Sequence, residues 1–131
     1  MQEWPGAVLA GAVDREATAA FGITTDLEAL LPHADVVIDF SSPHSTAANL
    51  AACARHGTAV LVGTTGLGPE ALAAAAAVSA RVPVIVAANT SLGVTLLVEL
   101  VRAAARALPA DFDIEIIEGH HRHKKDAPSG T

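Results

Sequence analysis

The sequence is poor in aromatic residues and in cysteine. It has no tyrosine, one tryptophan and three phenylalanines, although hydrophobic residues make up 51% of its 131 positions. A core built from such a chain has to consist of Ala, Val, Leu and Ile, which is typical of helices packed on a parallel sheet. The single cysteine, Cys53, excludes a disulfide within the chain and indicates a reducing compartment. We therefore expect a cytoplasmic protein with one aliphatic core.

Two further absences limit the kind of partner that the chain can have. No uninterrupted apolar run reaches the roughly 20 residues of a membrane span, and residues 1–5 lack the basic and apolar parts of a signal peptide. The net charge is -6, whereas nucleic-acid binding requires a basic surface. We therefore predict a soluble protein with no membrane and no nucleic-acid partner.

The pattern of apolar runs predicts alternating strands and helices. Strands are predicted over residues 7–13, 34–40, 58–62, 83–88 and 112–118. Helices are predicted over residues 25–31, 43–56, 69–80 and 94–108. The helix at 43–56 has clear limits, because Ser42 is a favourable N-cap, Pro43 suits the first helical position and Gly57 suits a C-terminal stop. The strands are apolar on both faces, which indicates burial on both sides of a parallel sheet.

Polar residues follow three of the predicted strands at a constant interval. Asp39, Thr64 and Asn89 lie 25 residues apart, which corresponds to one strand, one helix and two turns. This repeat is typical of the α/β class and predicts a doubly wound, Rossmann-like parallel sheet. Ligands bind at the carboxyl ends of such strands, so we expect the functional residues at that edge.

The glycine-rich turn that opens a dinucleotide-binding sheet is missing. The early glycines, Gly6, Gly11 and Gly22, do not fit the G-x-G-x-x-G pattern. The chain begins where the second strand of such a domain would begin. We therefore expect a truncated form of this domain.

Asp14 and Arg15 follow the first predicted strand. A carboxylate at this position accepts hydrogen bonds from the adenosine ribose of a nicotinamide cofactor, and an arginine there can bind the 2′-phosphate of NADPH. The choice between NADH and NADPH stays open, because Asp14 would repel the phosphate that Arg15 attracts. A solvated turn is the alternative interpretation.

Two later turns contain small residues, which allow the backbone to approach a ligand closely. The first turn adds two threonine hydroxyls that can bond a phosphate or an amide, and the second adds one amide side chain. The predicted cofactor-binding residues of the two turns are Gly63, Thr64, Thr65, Ala87, Ala88, Asn89 and Thr90. An ordinary strand-to-helix turn is the alternative for each.

The last residues of the chain differ in charge from the rest. Residues 1–118 carry five basic and thirteen acidic side chains, net -8, whereas residues 119–131 carry three basic and one acidic, net +2. The basic segment also contains His120, His121 and His123. Imidazole, ammonium and the backbone N–H groups of a Ser-Gly-Thr turn suit proton transfer to a small carboxylate. The alternatives are a solvated loop, an anion-binding surface without chemistry, and a metal site, which the adjacent histidines disfavour.

The run from Glu115 to Thr131 resembles the signature of the dihydrodipicolinate reductase family of lysine and diaminopimelate biosynthesis. The matching positions are Glu115, Glu118, His120, Lys124, Asp126 and the Pro-Ser-Gly-Thr sequence at 128–131. The sequences V-I-D-F-S-S-P, V-G-T-T-G and A-A-N-T-S-L-G-V extend the resemblance over most of the chain. It implies a partial dinucleotide-binding domain over residues 1–110 and the start of an α+β substrate domain over residues 111–131.

The resemblance also implies roles for the terminal residues. His120 would donate or accept a proton, and Lys124 would donate one to the substrate. His121 would bind the substrate, and Gly130 and Thr131 would hold one of its carboxylates.

The implied reaction is NAD(P)H-dependent reduction of 4-hydroxy-tetrahydrodipicolinate, a small dicarboxylate, by a cytoplasmic homotetramer without a metal ion. Two other functions remain open. One is an inactive, truncated nucleotide-binding module, and the other is a related nicotinamide oxidoreductase that acts on an amino-acid-derived imine.

Overall fold

The structure is a computed structural model that describes residues 5–19 and 22–123. Its contacts divide the chain into two units, with the boundary between Val86 and Ala87. The first unit contains β1 (Ala12–Val13), β2 (Ile23–Thr24), a single 3-10 turn (Leu31–His33), β3 (Val36–Asp39), α1 (Pro43–His56), β4 (Ala59–Val62), α2 (Pro69–Val78) and β5 (Val84–Val86). The second unit contains α3 (Leu92–Ala107). No helix of the described ranges is long and apolar enough to cross a membrane.

The main sheet has three parallel strands in the order β3-β4-β5. Its register pairs Asp39 with Val62 and Val62 with Val86, so the three strands end level with one another. The short strands β1 and β2 form a separate parallel pair. Parallel strands joined by helices confirm the predicted α/β class, because each crossover returns the chain to the same end of the sheet.

Helices α1 and α2 pack against each other and against the main sheet. The core between them is aliphatic, as the composition predicts, and its fully buried members include Leu50, Cys53 and Val62. The opposite face of the sheet is different, because Val36, Ile38 and Ile85 are 55–59% exposed. The prediction that the strands are buried on both faces is therefore wrong for β3 and β5, whose alternate side chains point away from the helices.

Local signals account for the limits of α1. The Ser42 hydroxyl accepts a hydrogen bond from the His44 N–H at 3.3 Å, and Pro43 occupies the first helical position. Gly57 ends the helix with φ +72°, a conformation that costs a residue with a Cβ about 1 kcal/mol or more. The N-cap, the first turn and the C-terminal stop are thus all confirmed.

The helix predicted over residues 25–31 is wrong. Turns fill this segment and lead into the 3-10 turn at Leu31–His33. The Asp26 carboxylate accepts a hydrogen bond from the Ala29 N–H at 3.2 Å and so caps a single turn, and Pro32 has no N–H to continue it as a helix.

The strands predicted over residues 7–13 and 112–118 also need correction. Only Ala12–Val13 of the first forms a strand, and the second has no regular structure. A strand requires a partner for its N–H and C=O groups. Among the residues that the structure describes, none forms a ladder with 112–118, and Ile114 and Ile116 of this segment are exposed.

An ion-pair cluster connects the segment before β3 to the end of α1. Glu28 accepts hydrogen bonds from Arg55 and from the His56 Nε2, the latter at 2.6 Å. These bonds, with Arg55 the stronger influence, lower the pKa of Glu28 from its ordinary value of 4.5. The Glu28 side chain is 46% exposed, so solvent screens the cluster.

Glu28→Gln is expected to decrease the free energy of unfolding at neutral pH by a small amount that disappears in acid. A lowered folded-state pKa stabilises the protein above the unfolded-state pKa, and this contribution is lost as pH falls through the folded-state value. Denaturant titrations at a series of pH values measure the difference. Glu99→Gln is the matched control, because it removes an exposed ion pair, that of Glu99 with Arg102 inside α3. An equal loss at neutral pH and well below pH 4.5 would contradict the prediction.

Leu50→Ala is expected to decrease the free energy of unfolding by about 2–5 kcal/mol, because it leaves a cavity between α1 and the sheet. Leu72→Ala on α2 is the control, since Leu72 is 49% exposed whereas Leu50 is fully buried. The control should cost about 1 kcal/mol or less. Urea denaturation followed by circular dichroism gives both values, and similar losses would show that the assigned core is wrong.

Candidate functional site

The carboxyl ends of β3 and β4 form one edge of the main sheet. The Gly63 N–H donates a hydrogen bond to the backbone carbonyl of Asp39 at 2.8 Å, which continues the ladder one residue beyond β4. The loop 63–66 begins there. The sheet register thus places this loop beside the chain that leaves β3, as the spacing of Asp39 and Thr64 predicts.

Asp39 is buried at this edge, with 4% of its surface exposed. Its Oδ1 accepts hydrogen bonds from the Ser41 N–H at 2.9 Å and from the Ser41 hydroxyl at 2.5 Å. Its Oδ2 accepts one from the Asn49 side-chain amide at 3.2 Å. A buried carboxylate is tolerated only when its oxygens are hydrogen-bonded, and these donors meet that requirement.

Thr64 is also buried and contacts Asp39. Its hydroxyl lies 3.2 Å from the backbone carbonyl of Asp39 and 3.3 Å from its Oδ1. Two threonine hydroxyls of this loop are predicted to meet a ligand. That of Thr64 donates to Asp39 instead, whereas Thr65 is half-buried.

Two glycines shape the loop 63–66. A Cβ at Gly63 would collide with the Phe40 ring, so the position requires a glycine unless that ring moves. Gly66 has φ +72°, which side chains rarely permit. The Phe40 ring covers the buried Gly63, whereas Gly66 is exposed at the turn, and these two constraints explain the glycines at both ends of Gly-Thr-Thr-Gly.

Asp14 and Arg15 lie at the end of β1, in the two-stranded sheet. The Asp14 N–H donates to the Thr24 carbonyl at 3.0 Å, and the Arg15 N–H donates to the Asp14 Oδ1 at 2.6 Å. Both side chains are exposed and line a surface pocket of about 320 Å³ together with Glu16 and Thr18. The carboxylate of Asp14 is thus held in place at one oxygen.

Residues 87–90 belong to the second unit. Ala87 is half-buried, whereas Ala88, Asn89 and Thr90 are exposed. The Asn89 Oδ1 accepts a hydrogen bond from the Ser91 N–H at 2.8 Å, and Ser91 caps α3. The Asn89 Oδ1 therefore helps to hold Ser91, the N-cap residue of α3, in place.

The histidine segment is described as far as His123. The His120 Nδ1 contacts the Glu118 carboxylate, and the His121 Nδ1 accepts a hydrogen bond from the His123 N–H at 3.2 Å. Sequence reasoning placed Glu118 in the motif without assigning it this partner. The predicted residues Lys124, Gly130 and Thr131 lie outside the described residues.

Cys53 lies inside α1 and is buried in the core. Burial, followed by the nearby negative charge of Asp39, raises the pKa of the Cys53 thiol, which is fully buried and remains protonated at neutral pH. Within residues 5–19 and 22–123, no three His, Cys, Asp or Glu side chains are placed to hold a metal ion.

Comparison with known proteins identifies the family. Residues 2–90 match the family described as "Dihydrodipicolinate reductase, N-terminus", and residues 93–131 match "Dihydrodipicolinate reductase, C-terminus". The chain is 47% identical over 144 residues to the 4-hydroxy-tetrahydrodipicolinate reductase of Alkalilimnicola ehrlichii, covering 98% of this chain and 54% of that protein.

Two further relatives carry the same name. The Chromohalobacter salexigens protein is 48% identical, with 97% of this chain and 49% of the relative covered, and that of Anaeromyxobacter dehalogenans is 42% identical, with 97% and 53% covered. The chain spans about half the length of these relatives. Together with the α/β fold, these matches show that the chain belongs to the dihydrodipicolinate reductase family.

Proposed function

We propose that this chain supplies the cofactor-binding sheet and the proton-transfer histidine of an NAD(P)H-dependent 4-hydroxy-tetrahydrodipicolinate reductase. The observation that carries the proposal is the family match on both sides of residue 90, which includes the strand-end turns and the histidine segment. The relatives named as 4-hydroxy-tetrahydrodipicolinate reductases support the substrate.

The strand ends of the first unit fit a nicotinamide cofactor. The exposed Asp14 carboxylate suits ribose hydroxyls, and Arg15 beside it suits a 2′-phosphate. The loop 63–66 follows β4 at the same edge of the sheet and is half-buried at Thr65 and exposed at Gly66. In this proposal Gly63, Thr64 and Thr65 contact the cofactor mainly through the backbone and the Thr65 hydroxyl, and Ala87, Ala88, Asn89 and Thr90 provide the remaining contacts.

The bound cofactor would supply a hydride, and the histidine segment would supply the accompanying proton. His120 suits this step because imidazole exchanges protons near neutral pH. The contact between its Nδ1 and the Glu118 carboxylate orients the ring. We further propose that Lys124 donates a proton to the substrate, that His121 binds it, and that Gly130 and Thr131 hold a carboxylate.

The substrate assignment implies a small dicarboxylate ligand and a local positive charge. Residues 119–131 carry net +2 in a chain of net -6, which favours such an anion at this segment. We also propose a cytoplasmic location and a homotetramer for the whole protein, in keeping with the family.

His120→Ala is expected to decrease kcat by about 100-fold or more while the Kd of the cofactor changes little, because general acid catalysis contributes about 10²–10⁴ to a rate. The test uses a hybrid in which this chain is joined to the remaining half of the Alkalilimnicola ehrlichii relative. Turnover is followed by the loss of NADH absorbance.

His123→Ala is the control for this substitution, since His123 has no proposed role and the substitution keeps its backbone N–H bond to His121 while removing only the neighbouring ring. An unchanged kcat for His120→Ala would remove the proposed role. Preference of the parent hybrid for iminoaspartate would contradict the substrate, and cofactor binding without turnover would favour a nucleotide-binding module.

Arg15→Gln is expected to weaken NADPH binding about tenfold and NADH binding by less than about twofold, because only NADPH has a 2′-phosphate for a charge-assisted hydrogen bond. Asp14→Asn should instead weaken NADH binding, through the ribose contact. Fluorescence titration of the hybrid with each cofactor measures both, with Arg81→Gln as the control at an exposed arginine between α2 and β5. Equal weakening of the two cofactors by Arg15→Gln would contradict the assignment.

A further inference from the structure

We infer that Asp39 is a positioning residue for the cofactor-facing loop 63–66, acting through Thr64. The inference rests on the proposed function, in which this loop contacts the cofactor. Asp39 itself is buried and presents both carboxylate oxygens to protein donors, so it acts through its neighbours.

Asp39 joins three parts of the first unit. It ends β3, it accepts hydrogen bonds from Ser41 before α1 and Asn49 within α1, and it receives the Thr64 hydroxyl from the loop after β4. Asn49 and Thr64, which lie 10 and 25 positions after Asp39 in the chain, are thereby both bonded to this one residue. A single buried anion sets the position of the loop relative to both the strand and the helix.

The backbone of the loop is bonded to Asp39 as well. Asp39 also accepts a bond from the Gly63 N–H through its own carbonyl, and the Thr64 hydroxyl reaches that carbonyl as well. The loop is therefore bonded to Asp39 at two consecutive residues. Such bonds hold the N–H groups of the following residues in one orientation, which is what backbone recognition of a ligand requires.

Ordinary core packing does not require a charge at the end of β3. Apart from Cys53, the hydrophobic core of this unit is aliphatic, and burying a carboxylate is costly unless every oxygen is bonded. A hydrophobic residue at the end of β3 would fill the space without holding Ser41, Asn49 and Thr64. What the carboxylate adds to the structure is a common acceptor for Ser41 and Asn49 that the Thr64 hydroxyl of the loop reaches at 3.3 Å.

Thr64→Val tests the inference with little change of shape, because it removes the hydroxyl and keeps the branched side chain. We expect KM for NADH in the hybrid to rise about tenfold with kcat within about twofold, and Thr64→Ser to restore KM, since loss of a buried hydrogen bond to a charged group has about this effect. Asp39→Asn should raise KM similarly, because one carboxylate oxygen becomes a donor that faces the Asn49 amide.

Thr46→Val is the matched control. Thr46 is fully buried, and its hydroxyl donates to the Ser42 carbonyl at 3.0 Å within the first turn of α1. The substitution removes a buried threonine hydroxyl of the same unit without touching the loop. If Thr46→Val and Thr64→Val change KM equally, or if neither changes it, the network serves packing alone and the inference is overturned.

Hydrogen exchange on the 131-residue chain separates this inference from the proposed function. Exchange of the Gly63 amide should become about tenfold faster in Asp39→Asn and Thr64→Val, and unchanged in Thr46→Val. An inactive hybrid would count against the proposed function only. Unchanged Gly63 exchange in both network variants would overturn the positioning role whatever the hybrid does.

Discussion

The parallel register of β3, β4 and β5 is the constraint on which the site depends. Because Asp39, Val62 and Val86 are aligned across the sheet, the chain leaves each strand at the same edge. A shift of one residue in β4 would turn Val60 and Val62 away from the helices and expose them, so the hydrophobic core maintains the register. The core therefore also maintains the position of the loop that follows β4.

Features with local causes could be predicted from the sequence, and α1 is the clearest case. Its N-cap, its proline and its terminal glycine each act within one turn of the helix, so no distant contact is needed to place its limits. The order of strands and helices from β3 to α3 could be predicted for the same reason, since the alternation of apolar runs and the interval between polar strand ends both lie in the sequence.

Features that depend on distant partners could not be predicted in the same way. Residues 112–118 have the composition of a strand, but a strand forms only beside another strand. Residues 25–31 contain helix-forming residues, yet the Asp26 side chain and Pro32 favour turns, and Glu28 contacts the end of α1, 27 and 28 residues away. Long-range contacts of this kind cannot be derived from spacing within a short window.

The candidate site also combines features that could be predicted from the sequence with features that depend on distant partners. Position at a strand end identified Gly63, Thr64 and Thr65 as a group, because sheet topology determines which turns share an edge. It did not indicate which threonine faces the protein, since that depends on Asp39, 25 residues earlier. An aspartate at the end of an apolar strand, followed by a serine two residues later, was the available signal, and it indicates a side chain that bonds its own turn.

The charge of Asp39 places a limit on what it can do at this edge. A nicotinamide dinucleotide is an anion, and an uncompensated buried carboxylate beside it would oppose binding. Donors from Ser41, Asn49 and Thr64 surround both oxygens, and their dipoles oppose the negative charge at short range. If Asp39 contacted an anionic ligand directly, a like charge would take the place of these donors and repel the carboxylate. The arrangement thus favours an indirect role, in which the carboxylate orders the loop and the neutral backbone of the loop contacts the ligand.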